Sequence, residues 1–437
     1  MLYKMMGFEG RPISMVKHAS MASWAVWLIT SFFLFFDILL RVFPNIMVKA
    51  LQAHFTLDAA ELSTLSASFM WAYGLMQLPA GMLIDRFGTK VMLSIGALIA
   101  AAGVFILSLT SHFWIACAGR FLMGVGAAFA FLGCMQVILT RFPEGQRALL
   151  AGLTMTVGAL GGIVCNTVLL RLEPVLGYHG MLWLISGFGV FLAVMILLFV
   201  SAPIAGKSGQ SVWHSFFYIV KQPSAWALGL LCGLIYLPYA IFNDLWGISF
   251  LRVVDGFHRI PAGYLITSIW LGWVIGSPII GYLADRWQNP WRVMWLTTLV
   301  QIVVVVFLLF FKLPFTLTLL VTFCLGVTAS SMALCYISGQ MVHRNSAAGV
   351  SSAFINGFVS LVVFVTLPII GYLMDYMAAK QAIHPLAILN YKPLDFQVGL
   401  IPLVVGLGIA LLVLGWLKLS SYRFARRISD HEEVPAT

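Results

Sequence analysis

Charge is what this chain has least of: Asp, Glu, Lys and Arg make up 9% of its 437 residues, against 61% hydrophobic. A water-soluble surface needs roughly a quarter to a third of its residues charged, so folding in water is excluded and the chain belongs in a bilayer. No GxxxxGK followed by Ser or Thr occurs, which excludes a phosphate loop and ATP as the driving force. No nucleophile sits beside a base in a polar domain, so a membrane enzyme is a poor reading. The six cysteines, Cys117, Cys134, Cys165, Cys232, Cys324 and Cys335, all fall inside apolar runs without metal-ligand spacing. They behave there as small apolar side chains, so no disulfide, redox site, metal or other cofactor is expected. No cleavable leader is expected either: the apolar stretch Ala22 to Phe43 that follows Lys4, Arg11 and Lys17 is too long and has no small-residue cleavage site, so it reads as a retained first helix.

What is present is a series of apolar runs, each about twenty residues long, the length that crosses hydrocarbon as a helix. They lie near Ala22 to Phe43, Leu62 to Ile84, Val91 to Thr110, Trp114 to Leu139, Leu149 to Leu170 and Met181 to Ser201. Six more follow, near Ala225 to Phe250, Ala262 to Ala284, Val293 to Phe311, Phe315 to Gly339, Val350 to Met374 and Val398 to Leu417. Membrane barrels use strands of about ten residues that alternate in polarity, and these runs are continuous, so the expected fold is all-α with twelve spans. It divides into a six-helix bundle over 1–201, a linker over 202–224 and a second bundle over 225–437. The outer connection Met377 to Gln397 is the longest and suggests no role.

Lys and Arg in the connections set the orientation. With the N-terminus cytoplasmic, that side holds sixteen, Lys4, Arg11, Lys17, Arg86, Lys90, Arg141, Arg147, Lys207, Lys221, Arg286, Arg292, Arg344, Lys418, Arg423, Arg426 and Arg427. The other side holds seven, Lys49, Arg171, Arg252, Arg259, Lys312, Lys380 and Lys392. Both termini are therefore expected in the cytoplasm. This asymmetry, with attraction to anionic lipid, accounts for the net charge of +10, and no nucleic-acid partner is implied.

The segment GMLIDRFGTK, Gly81 to Lys90, returns as GYLADRWQNP at Gly281 to Pro290. The first copy resembles the loop signature of the major facilitator superfamily, and twelve spans in two halves extend that resemblance over the whole chain. Gly81 and Gly88 suit tight packing and a sharp turn, and Asp85 can accept hydrogen bonds at a neighbouring helix N-terminus. Arg86 and Lys90, with Arg141 or Arg147, complete a charge cluster expected to latch the cytoplasmic side when the outer side is open. That the charges only fix topology and the turn stays open. Asp285 and Arg286 repeat the motif, but Gln288, Asn289 and Pro290 break its pattern, so a weaker latch is expected there.

Within the superfamily, Arg41 together with SASFMWAYGLMQLPAGMLIDRFGTK (Ser66 to Lys90) is similar to the anion:cation symporter family, mainly over helices one, two and four. That family carries sugar acids, glutamate and other organic anions. The resemblance matches Arg41 to its first-helix arginine and Arg120, in GRFLMGVG (Gly119 to Gly126), to its fourth-helix arginine. Leu40 and Ala127 stand where the family carries acids implicated in cation coupling, so the chain departs from that route.

The same residues stand out on physical grounds. Only Asp37, Arg41, Arg120 and Asp244 place charge well inside the spans, where each costs about 2.5 to 3.5 kcal/mol at a helix centre and needs compensation. Asp37 lies one turn before Arg41, the better order for an intrahelical pair. By the resemblance, helices one, four, seven and ten line a central cavity. A guanidinium fork is well shaped for a carboxylate, so Arg41 or Arg120 is expected to hold one, with Asp37 and Asp244 as proton-coupling groups. The alternatives left open are a static Asp37 and Arg41 pair, Arg120 as a clamp on backbone carbonyls, and Asp244 at the interface. Tyr73, Gln77, Gln136, Tyr239, Asn243 and Tyr336 are candidate substrate contacts, and Tyr236, Trp246, Gln340 and Asn356 fill out the same cavity. Pro44 and Pro238 are expected to end or bend their helices.

The expected function is import of a small carboxylate-bearing solute, an organic anion, amino acid or small peptide, by alternating access with proton symport. The partners are membrane lipid, that solute and the proton, and the protein is expected to act as a monomer in a bacterial inner membrane. Alternatives are an uncoupled facilitator of amino acids or dipeptides, a drug or metabolite exporter, and a non-transporting sensor on a carrier scaffold. TVGALGG (Thr156 to Gly162) lacks the Gly-Pro pair of the superfamily's drug antiporters, which weighs against multidrug export.

Overall fold

The computed structural model describes residues 20–200, 212–342, 348–380 and 391–432, with side chains for 20–200, 213–339, 349–380 and 391–418. Lys4, Arg11, Lys17, Lys207, Arg344, Pro385, Arg423, Arg426, Arg427 and the Gln340 side chain lie outside these. Helix is the only regular structure among the described residues, as the continuous apolar runs require when every backbone polar group must be satisfied within its own segment.

In chain order the long helices are α1 Met21–Phe55, α2 Ala59–Phe87, α3 Thr89–Leu109, α4 Phe113–Arg141, α5 Glu144–Val164 and α6 Leu170–Phe199. After the short helix Val212–Val220 come α7 Pro223–Val253, α8 Arg259–Trp287, α9 Pro290–Phe310, α10 Phe315–Gly339, α11 Ala348–Lys380 and α12 Pro393–Lys418. Ten helical stretches among the described residues are long and apolar enough to cross a membrane, one of them the unbroken run Glu144–Phe199. That run holds α5 and α6 and turns at Gly177, whose φ of 65° is open to glycine without strain. Pro44 neither ends nor halts α1, which continues eleven residues further to Phe55.

Outward faces are apolar, with Trp114 76% and Leu412 74% exposed, while polar side chains turn inward. There they find partners: Trp27 Nε1 donates to Thr154 Oγ1 at 2.8 Å and Gln301 Nε2 to the Ile235 carbonyl at 3.0 Å. This distribution, the reverse of a soluble protein, is what hydrocarbon demands. Where helices touch, glycine lets backbones meet: a Cβ on Gly119 would stand 2.8 Å from the Gly103 carbonyl oxygen.

Helices α1 to α6 pack chiefly among themselves, as do α7 to α12; the main exceptions are α2 against α11, α1 against α7 and α5 against α8. The two motif copies end α2 and α8 alike. Gly88 has φ 85° and Gln288, its counterpart, φ 47°. The repeat therefore survives in the backbone where its letters change, with the strain partly offset by Gln288 Nε2 donating to the Asp285 carbonyl at 2.6 Å. Gln288→Gly is expected to stabilise the protein by about 0.5 to 1 kcal/mol, read as a raised unfolding midpoint in detergent.

Candidate functional site

Two helices are widened by a π turn, α5 at Cys165–Leu169 and α7 at Phe242–Trp246. In α7 the widening follows Pro238, which has no N–H to donate and so loosens the ladder ahead of it. The turn carries Asp244, 3% exposed, and frees carbonyls that need partners. Asn45 of α1 supplies them, its Nδ2 donating to the Phe242 and Asn243 carbonyls at 2.9 Å each, while its Oδ1 accepts from Ile248 N at 3.1 Å.

One turn before Asn45, Arg41 Nε donates to both Asp244 oxygens, at 3.1 and 3.0 Å. Its guanidinium also lies over the Tyr236 ring, 5.2 Å from the centroid. The expected pair of Arg41 with Asp37 is therefore corrected: the arginine crosses to α7 instead. Asp37, 4% exposed, has no hydrogen bond or ion pair among the described residues, though the charges of Arg41 and Asp244 act on it. Arg41 Nη2 is buried and unpartnered, as are Asn243 Oδ1 and the Trp246 Nε1.

Arg120, 2% exposed, is placed elsewhere than expected. Its guanidinium is sandwiched 5.1 Å from the Phe43 centroid and 5.0 Å from that of Phe69, with Nη1 donating to the Leu40 carbonyl at 2.7 Å and Nη2 reaching the Ser66 carbonyl at 3.5 Å. In this conformation Nη1 and Nη2 are taken up by α1 and α2, so the guanidinium clamps backbone next to Arg41, while its Nε is buried without a partner. Arg120→Gln is expected to lower stability by about 2 to 3 kcal/mol, the range for losing charge-assisted hydrogen bonds in a buried site, while the folded fraction keeps its substrate KM. A thermal melt and uptake kinetics on the same preparation separate the two effects.

Tyr73 lies within the field of Asp37 and Arg41. Tyr239 packs on Trp270 and Trp273, with centroids 5.4 and 4.6 Å apart, and accepts from Asn243 Nδ2 through its carbonyl at 2.9 Å. Tyr336 donates to Asn356 Oδ1 at 3.0 Å. Gln77 is turned back onto the Tyr73 carbonyl at 3.3 Å, and Gln136 has no side-chain partner among the described residues. Arg41, Asp37, Asp244, Tyr73, Tyr239 and Asn243 are thus brought together, with Arg120 within the field of Asp244 and Gln77 against Tyr73, whereas Gln136 makes no hydrogen bond to that group among the described residues.

The bundle is sealed at the end carrying the α1–α2 and α7–α8 connections. Arg259 binds Glu173 at 2.6 Å and the Ile46 carbonyl at 2.9 Å, and Arg171 meets Tyr264. At the start of α2, Asp375 of α11 accepts from Ala59 N at 3.2 Å and Ala60 N at 2.8 Å, and Tyr391 hydrogen-bonds both Asp375 and Ala59 N, the latter at 3.1 Å. An anion placed on a helix N-terminus from a helix of the other group is the device expected of Asp85, found here at the opposite end. Sequence reasoning missed it because Asp375 lies one residue beyond its apolar run. It also gives the long 377–397 connection a structural part, through Tyr391.

Toward the other end the described glycines differ in how closely they are approached. A Cβ on Gly74 of α2 would meet Ser360 Cβ of α11 at 2.9 Å, and one on Gly263 of α8 the Asn166 carbonyl at 2.5 Å, yet on Gly81, Gly152 and Gly281 it would meet nothing within 4 Å. The close packing expected of Gly81 is absent here. Among the described residues Asp85, Lys90 and the Asp285 and Arg286 side chains have no hydrogen-bond or ion-pair partner, Arg86 rests on Phe87 at 5.1 Å, and Arg147 turns to the Phe142 carbonyl at 3.1 Å. Asp375→Asn with Tyr391→Phe is expected to weaken the sealed end by about 2 kcal/mol, shifting a two-state population roughly 30-fold. Spin-label distances between Thr56 and Asp255 positions, longer in the double variant, check this.

A charged centre inside a lipid-facing helical bundle, tied together by ion pairs and hydrogen bonds at one end, is the construction of a membrane transporter, not of an enzyme. The chain belongs to the Major Facilitator Superfamily, whose family model matches residues 27–367. It is similar to the agnestins efflux protein of Paecilomyces divaricatus, at 24% identity over 48% of this chain and 48% of the relative. It is also similar to the D-galactonate transporter of Escherichia coli O6:H1, at 21% over 54% of this chain and 60% of the relative. A probable galactarate/D-glucarate transporter of Bacillus subtilis matches at 27% over 37% of each chain. The aligned stretch thus spans about half of these curated relatives, less in the last. Among solved structures, a bacterial homologue of the human lysosomal transporter Spinster, inward-facing and unoccupied, superposes with TM-score 0.75 at 15% identity over 91% of this chain and 97% of that one. A nucleoside transporter does so with TM-score 0.68 at 14% identity, over 89% and 98%.

Proposed function

We propose that the protein imports a small carboxylate-bearing solute together with a proton, the organic anions named for its relatives being the first substrates to try. The observation that carries this reading is the state of Arg41: Nε is engaged by Asp244, while the terminal Nη2 is buried without a partner. A buried guanidinium with an unused edge is matched by the two oxygens of a carboxylate. The incoming carboxylate competes with Asp244 for the arginine, and whichever acid is displaced takes up a proton, so that no uncompensated charge is left in the core. Asp37, one turn away and unbonded, receives the proton from the entry side.

In this reading the two six-helix halves, 1–201 and 225–437, joined by 202–224, rock about the site. Counting Glu144–Phe199 as two crossings and adding Ala59–Phe87 to the other apolar helices gives twelve, with both termini cytoplasmic. The sealed end is then the outer one, and the structure is the inward-open state. Tyr73, Tyr239, Asn243 and Tyr336 complete the binding surface, and Gly81, Asp85, Arg86, Gly88, Lys90, Asp285 and Arg286 form the cytoplasmic latch, disengaged here. The setting is a bacterial inner membrane, with the protein acting as a monomer. The efflux protein among the relatives supports a second reading, export of a metabolite.

Uptake of aldonates, aldarates, amino acids and dipeptides into proteoliposomes, with and without an inward proton gradient, tests the proposal. Saturable, gradient-accelerated uptake of one carboxylate class is the expected result. Transport indifferent to the gradient would remove the coupling, and transport of uncharged compounds alone would remove the carboxylate.

A further inference from the structure

At the corner where α8 passes into α9, against Lys418 of the last helix, lies a cavity of about 660 Å³ lined by Trp287, Trp291, Arg292, Trp295, Leu296, Leu299 and Lys418. Its walls are graded. Trp291, Trp295 and Leu299 follow one another at four-residue spacing down one face of α9, so they form a single apolar strip running from the helix start toward the membrane interior. Arg292 and Lys418 stand at its mouth, from two different helices, both exposed and neither with an ion-pair partner among the described residues. No acid lines it.

Two cations over an indole-rich apolar strip match one class of molecule in a bilayer. Indoles settle at the headgroup level of the interface, which fixes the depth of the mouth, and the strip below it lies at acyl-chain depth. An ordinary lipid-facing groove needs no charge, and a site for a soluble anion needs no strip of Trp and Leu beneath it. The N-terminus of α9, which opens beside Arg292, adds partial positive charge on the same side.

We propose that this corner is a binding site for an anionic phospholipid, its phosphate between Arg292 and Lys418 and one acyl chain along Trp291, Trp295 and Leu299. Because the site touches the second copy of the repeated motif, its occupant braces the α8–α9 turn, where Gln288 holds the left-handed conformation. The assignment depends on membrane embedding and not on the transported solute, so its failure and that of the transport reading are distinguishable.

The test is native mass spectrometry of the purified full chain offered phosphatidylglycerol and phosphatidylcholine of identical chains. Two cations near a membrane surface correspond to roughly a tenfold to thirtyfold preference, so the wild type is expected to retain phosphatidylglycerol by about that factor. Arg292→Gln with Lys418→Gln is expected to bring the ratio near one. Both positions are exposed, so the fold is expected to survive; should the variant not be obtained, wild type in about 1 M salt, where the screening length is about 3 Å, is expected to lose the preference likewise. Equal retention of both lipids by the wild type overturns the proposal, as does a preference unchanged in the double variant. Displacement of the lipid by free inorganic phosphate, leaving no lipid retained, also overturns it.

Discussion

Arg41→Lys is expected to abolish uptake while leaving a folded protein. Lysine keeps the positive charge and can still approach Asp244 as a point charge, but it has no planar fork and cannot grip the competing solute carboxylate through two parallel hydrogen bonds. Losing two charge-assisted hydrogen bonds to the solute, each worth about 1.5 to 3 kcal/mol, corresponds to a fall of roughly two to four orders of magnitude in uptake efficiency. Arg41→Ala should do worse, because it strands Asp244 in a site where that acid is 3% exposed; breaking a buried pair on one side costs about 3 to 5 kcal/mol. Removing both charges, Arg41→Gln with Asp244→Asn, is expected to recover most of that stability without recovering transport. Melting temperatures and initial uptake rates on the three variants give the answer. Uptake by Arg41→Lys within a few-fold of wild type would mean that the free guanidinium edge is not where the solute binds.

How much of this was legible in the sequence follows from the cost of charge in hydrocarbon. With 9% charged residues in all, the few that interrupt apolar runs announce themselves, and Asp37, Arg120 and Asp244 are indeed buried, with Arg41 partly so. The spans were legible for the same reason. Which charge pairs with which was not. Local spacing favoured Asp37 with Arg41, but the observed partner is 203 residues away, brought within reach by a π turn that no periodicity announces. For Arg120 the sequence left a ligand arm and a backbone clamp both open, because an arginine's direction is not encoded in its position; in the structure two rings and two carbonyls surround it. Asp375 and Tyr391 escaped notice at the ends of apolar runs, where a charge is ordinary and only the helix N-terminus opposite gives it work.

Asp37→Asn is expected to uncouple the transporter without disabling it. The carboxylate makes no hydrogen bond among the described residues and is nearly isosteric with the amide, so packing around it is undisturbed. A buried, unbonded acid is a cost to the fold, and the substitution is expected to leave stability unchanged or slightly raised, within about 0.5 kcal/mol. The effect falls on energetics. Wild-type vesicles should concentrate the solute when an inward proton gradient is imposed, because each inward cycle carries a proton on the acid. With asparagine at position 37 there is no proton to carry on that residue, and the gradient should no longer drive accumulation. Solute-for-solute exchange, which needs only Arg41 and the movement of the two halves, should persist at a rate within a few-fold of wild type. The two assays together separate the possible roles. Loss of exchange along with accumulation would make Asp37 part of the solute site. Accumulation equal to wild type would relieve Asp37 of coupling and leave Asp244, the acid that already shares the arginine, as the group that takes up the proton.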